Sequence, residues 1–323
     1  MPNGTYDFKL GIYLSELQLP FEESLAVARD LGVRYVWGGD HRDNLPLFRL
    51  PDAEIDDSAR LVDSYGCQFF FTDGGGLFKT VHLAELVPGK MLDHVQFKEH
   101  YDSLTRSMEV ASRLGIGAVA CSSFAWPGEY TAGKPTWPMR WATGGGIVSE
   151  AELRGLVEVF RRVLEAAEKH DVDVLVNQRP FHYTNTTAHF LELAERVGSG
   201  RLKAFWGPAD NVLSGEREVP TRGYERLRAY LAAVHLKDVQ VHDGARGEYA
   251  WKPIGDGEVG YSTLFRRLVE EDSDAVLVCA THFLPPGGGS TAEALAINHE
   301  RVTSLLARVR REVAAARHKE SHP

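Results

Sequence analysis

The side chains able to do chemistry collect at the ends of short apolar runs. One run reads Val234-His235-Leu236-Lys237-Asp238, a second Leu175-Val176-Asn177-Gln178-Arg179, and a third Cys279-Ala280-Thr281-His282. Residues two apart on an extended strand share a face, which groups His235 with Lys237, Asn177 with Arg179, and Ala280 with His282. An imidazole can move a proton near neutral pH. A guanidinium and an ammonium can hold a carboxylate, a phosphate or a developing enolate oxygen. Asp210 follows a fourth run, in Gly207-Pro208-Ala209-Asp210. Asp73 precedes Gly74-Gly75-Gly76, whose backbone could approach a ligand closely; no Gly-Lys-Ser/Thr follows, so this is no phosphate loop. Trp37, Trp126 and Trp206 stand near strand ends, where an indole can stack on a sugar. Each residue also has a plainer reading. Lys237 and Asp238 would form an internal ion pair, His282 would only pack, Arg179 would make a surface salt bridge, and the tryptophans would belong to a core.

Elements that could position these groups recur along the chain. Eight apolar runs, at residues 9–13, 35–38, 68–72, 118–122, 172–177, 203–207, 233–238 and 275–281, each precede a helix-compatible stretch. The helix expected at 150–170 carries Leu153, Leu156, Val157, Phe160, Val163 and Leu164 at spacings of three and four. Ser149 and Glu152 form its capping-box pattern. Eight such units predict a closed (β/α)₈ barrel, an α/β fold whose chemistry sits at the C-terminal ends of the strands. No linker divides the chain, so residues 1–323 read as one domain. Extended loops are expected after strands 2, 3 and 4, at 38–50, 73–89 and 123–146, and at least one should cover a substrate.

Composition removes several classes of function. A net charge of −9 disfavours nucleic acid as a partner. No apolar run is long enough for a membrane span, and the first residues lack a signal-peptide pattern. Cys67, Cys121 and Cys279 are odd in number and lack metal or redox spacing, so they read as reduced, buried thiols of a cytoplasmic protein.

The strand carrying His-x-Lys-Asp, followed by Gly255-Asp256-Gly257-Glu258-Val259-Gly260-Tyr261, adds a family signal. With Gly207-Pro208-Ala209-Asp210-Asn211 and Ala280-Thr281-His282-Phe283, it resembles the xylose isomerase-like TIM barrels. These are grouped as sugar phosphate isomerases and epimerases, and include inosose dehydratases and ketose epimerases. The resemblance implies a divalent metal held by Glu, Asp, His and Glu on the last four strands. Here those positions read Asn177, Gly207, His235 and Ala280, and a neutral amide with one imidazole suits a hard cation poorly.

The site is therefore expected to hold no metal, with Mn, Mg, Co or Zn as the alternative. If these four residues face inward, Arg179, Lys237 and His282 form a cationic layer above them. Gly207 and Ala280 would leave room for a ligand. The expected function is an isomerase, epimerase or lyase of a sugar, polyol or hydroxy-ketone, working by α-proton abstraction. His235 or His282 would be the base, Arg179 and Lys237 the oxyanion donors, and Asn177, Asp73, Asp210, Trp37, Trp126 and Trp206 the substrate contacts. The alternative is a catalytically silent homologue that binds a sugar-like ligand or partners an active barrel. The expected partner is a small carbohydrate-like molecule, with homo-oligomers by analogy.

Overall fold

The eight expected barrel strands lie parallel in the computed structural model of the chain, which describes residues 8–38, 46–73, 78–126, 146–244, 246–285 and 287–321. In chain order they are β1 (Leu10–Tyr13), β2 (Tyr35–Trp37), β3 (Gln68–Phe69) with β4 (Thr72–Asp73), β5 (Ala118–Ser122), β6 (Asp173–Asn177), β7 (Leu202–Trp206), β8 (Leu231–Leu236) and, after a hairpin, β11 (Val276–Cys279). The sheet order is β3-β2-β1-β11-β8-β7-β6-β5-β4. Its two end strands are halves of one segment: β3 pairs with β2, β4 pairs with β5, and only Phe70 and Phe71 separate them. The sheet thus closes on itself as a (β/α)₈ barrel.

Helices α1 (Phe21–Asp30), α2 (Asp52–Ser64), α3 (Val95–Arg113), α4 (Glu150–His170), α5 (Thr187–Val197), α6 (Pro208–Leu213), α7 (Tyr224–Leu227), α8 (Tyr261–Glu270) and α9 (Thr291–Ser321) fill the connections. The expected capping box forms: Ser149 Oγ accepts from the Glu152 N–H while Glu152 accepts from the Ser149 N–H. Inside the barrel, Trp37, Phe71, Leu175, Phe205, Ala233 and Val278 form a compact plug. A larger apolar layer lies between sheet and helices.

The strand expected at 233–238 ends at Leu236, and a hairpin of β9 (Asp238–Asp243) and β10 (Glu248–Lys252) follows. Most of the long segments after strands 2, 3 and 4 lie outside the described residues, among them Asp40, His41, Gly74–Gly76, Trp137 and Trp141. Cys67, Cys121 and Cys279 are buried, and none is in a disulfide among the described residues. No helix among the described residues is long and apolar enough to cross a membrane.

Candidate functional site

Asn177, Arg179, His235, Lys237 and His282 converge at the C-terminal mouth of the barrel, joined by Asp210 and by Glu16, a residue the sequence reading missed. The strand alternation accounts for this: Phe205 and Ala233 belong to the interior plug, which aims Gly207, His235 and Lys237 inward above them. Trp206 takes the opposite phase. It packs in the layer under the helices, and its indole N–H donates to Asn211 Oδ1, so it does not reach the site.

Two carboxylates organise the cluster. Asp210 Oδ2 lies 2.7 Å from Lys237 Nζ and accepts a hydrogen bond from Arg179 Nη1 at 3.2 Å. Burial pushes its carboxyl up, but Lys237 and Arg179 outweigh that and hold it ionised. Glu16 Oε1 accepts from His282 Nε2 at 3.1 Å and lies 3.5 Å from His235 Nε2, while Glu16 Oε2 accepts from the Thr281 N–H. Burial is again opposed: the two imidazoles hold the Glu16 carboxyl well below the usual range.

Arg179 bridges the two halves, since its Nη1 also donates to His235 Nδ1 at 2.8 Å. A guanidinium can only donate, so His235 Nδ1 carries the lone pair and Nε2 carries the proton. Burial, then the Arg179 charge, pushes the His235 imidazole down to about 3, so it is neutral. Burial also lowers His282. Because Glu16 accepts from its Nε2–H, the ring's basic nitrogen is Nδ1. Burial, then Arg179, lowers Lys237 to about 8. Its ammonium sits 5.3 Å from the Trp251 ring centre.

These contacts correct four expectations. Lys237 pairs with Asp210, and Asp238 instead accepts from the N–H groups of Gly255 (2.9 Å), Gly257 (3.0 Å), Val259 (3.2 Å) and Val239 (3.0 Å). Arg179 is buried rather than on the surface. The space beside Gly207 is no ligand room: a Cβ there would stand 2.2 Å from Asp210 Oδ2. Asp210 itself is enclosed and meets its two cations instead of the open pocket.

The pocket lies beside the cluster, with a volume of about 70 Å³, and Tyr13, Trp37, Lys79, Ser122, Asn177 and Arg179 help line it. Trp37 stacks on Tyr13 at 3.9 Å and 14°. Trp126 packs at a tilt against Tyr183 instead and does not line this pocket. Asp73 ends β4 on the functional face, and its side chain lies outside the described residues. His182 was also missed. Its Nδ1–H donates to the Asn177 carbonyl at 2.7 Å, and burial, then Lys79, holds it neutral. Glu16 had a legible signal, one acid inside the apolar run Leu14–Leu17 just past the first strand.

The metal that the fold family implies can be tested against these contacts. Glu16, His235 and His282 bring three potential ligand atoms within 4.8 Å of one another, the one such group among the described residues. The hydrogen bonding disqualifies His235, however. A ligating imidazole donates its remote N–H to an acceptor. Here the remote nitrogen faces the donor Arg179, which leaves Nε2 protonated and unable to ligate. The charges of Glu16, Asp210, Arg179 and Lys237 also cancel, so a divalent ion would leave two uncompensated charges in a buried site. The residues present do not fit the ion.

The comparisons with known proteins agree on architecture. A family model described as xylose isomerase-like TIM barrel matches residues 25–298. A xylose isomerase-like TIM barrel protein from Mycobacterium smegmatis, solved in complex with magnesium, is 16% identical, with a TM-score of 0.67 over 96% of this chain and 100% of that one. D-psicose 3-epimerase from Clostridium cellulolyticum H10, solved with D-tagatose, is 15% identical, with a TM-score of 0.65 over 94% of this chain and 98% of that one. The IolI protein, solved with a zinc atom, is 15% identical, with a TM-score of 0.68 over 94% and 99%. No curated protein matches the chain. With most of its length covered by the family model, the chain belongs to the xylose isomerase-like TIM-barrel family.

Proposed function

We propose that the protein is an isomerase, epimerase or lyase of a sugar-like hydroxy-carbonyl compound that removes a proton next to the carbonyl without a divalent metal. The observation that carries this reading is the hydrogen bond from Arg179 to His235, which sets a fixed cation at the centre of the site and takes His235 out of metal ligation. An enediolate needs its oxygens stabilised as charge develops. Arg179 and Lys237 supply positive charge for that role. His282, oriented through Nε2 by Glu16, is the better base, because the His235 lone pair is already engaged by Arg179.

A second reading, a ligand-binding homologue without turnover, draws support from one feature. His235, Lys237, Asp210 and His282 are all buried, and among the charged members of the cluster only Arg179 lines the pocket. Proton exchange separates the two readings. The full chain is incubated in D₂O with a panel of ketoses, keto-polyols and uronic acids, with and without chelator, and α-proton loss is followed by NMR. We expect exchange that survives chelation and falls by about 10²-fold or more in His282→Asn, the usual scale for a general base. Absence of exchange on every substrate, or full activity in His282→Asn, contradicts the proposal.

A further inference from the structure

Resting on that reading, we propose that the substrate is a sugar acid, whose carboxylate is held by Arg179 and Trp37 and whose neighbouring hydroxyl is held by Asn177. Arg179 uses only Nη1 within the protein, on Asp210 and His235. Its Nε and Nη2 make no hydrogen bond among the described residues, and the side chain lines the pocket. Those two nitrogens form one edge of the guanidinium, whose parallel N–H groups match the two oxygens of a carboxylate.

Trp37 supplies a second donor. Its Nε1–H is buried without a partner among the described residues, and its ring is fixed by stacking on Tyr13 and by contacts with Phe71 and Phe205 at 4.8 and 5.4 Å between ring centres. An indole N–H cannot accept, so an acceptor on a bound ligand would satisfy it. Asn177 offers the complement, a buried amide oxygen with no hydrogen bond among the described residues, which calls for a hydroxyl donor. Lys79 adds an ammonium to the same wall.

The small pocket and the single free guanidinium edge suit a planar monoanion better than a phosphate dianion, which needs more donors. The three groups lie on β2, β6 and the residue pair just beyond β6, so the barrel fixes their spacing before any ligand arrives.

Calorimetric titration of the full chain tests this with D-gluconate, D-galactonate, D-glucuronate and D-galacturonate against D-glucose, D-galactose and inorganic phosphate. We expect at least one acid to bind about tenfold or more tightly than its neutral parent and than phosphate. Trp37→Phe, which keeps the aromatic stack and removes only the N–H, should weaken that acid by roughly tenfold, the worth of one hydrogen bond to a charged group. Asn177→Ala should weaken it as well and serves where Trp37→Phe folds poorly. The proposal is overturned if no acid binds, if neutral sugars or phosphate bind as tightly, or if the folded variants leave affinity unchanged. The two claims fail separately. Exchange of neutral ketoses without acid binding overturns the substrate class alone, whereas acid binding without any α-proton exchange overturns the proposed function alone.

Discussion

Asp210 can fold back onto Lys237 and Arg179 because residue 207 has no side chain. A Cβ at that position would meet Asp210 Oδ2 at 2.2 Å and the Gln178 carbonyl at 3.2 Å. Gly207→Ala should therefore push the carboxylate away and leave two buried cations poorly paired. Breaking a buried ion pair costs about 3 kcal/mol or more. Urea denaturation should show a loss of this size, and a change within about 0.5 kcal/mol would contradict the account. The strand text identified Arg179, His235, Lys237 and His282, since alternation fixes which residues share a face. It could not show that Asp210 would return three residues later, because that depends on a bend at Gly207-Pro208. Glu16 escaped because it lies in a short turn after the first strand, away from the family's ligand positions on the last four.

The end of β8 is held by a local clamp. Asp238 accepts four backbone N–H groups from its own position onward and from the Gly255–Val259 turn, while the Tyr261 hydroxyl donates to the Lys237 carbonyl at 2.7 Å. Gly257 must be glycine, since a Cβ there would lie 2.6 Å from the Val239 carbonyl and closer still to Asp238. The motif that signals the family is thus structural: it places His235 and Lys237 and does not itself meet the pocket. Asp238→Ala strands several buried donors and should cost on the order of 3 kcal/mol, read from thermal or urea unfolding. Retention of wild-type stability would remove the clamp from the account. The hairpin that follows β8 was hidden in the sequence because its alternating run, Val239-Gln240-Val241, sits directly after a barrel strand and reads as its continuation.

Over the whole barrel, neutral histidines buried at the mouth tie stability to acid. His235 is lowered to about 3 in the folded protein, against roughly 6.5 when unfolded. Between those values the unfolded chain binds a proton that the folded chain refuses, so stability is lost as pH falls from about 6.5 toward 3. Burial lowers His182 and His282 in the same direction. Urea midpoints measured across this range should fall by an amount worth a few kcal/mol in total, and the fall should shrink in His235→Gln. A flat profile would mean that the imidazoles take up protons in place. Eight repeated strand-helix units made the barrel legible from one sequence. The identity of its ligand was not, because it depends on which donors remain unpaired once the cluster has formed.

The proposed chemistry puts the Arg179 guanidinium, rather than a divalent ion, at the centre of the site. Elemental analysis of the purified full chain, refolded or expressed with excess Mn, Mg, Co or Zn and then desalted, tests it most directly. We expect far less than one ion per chain, and no rise in thermal midpoint on adding these metals. One tightly bound ion per chain, lost on substituting Glu16 or His282, would contradict it.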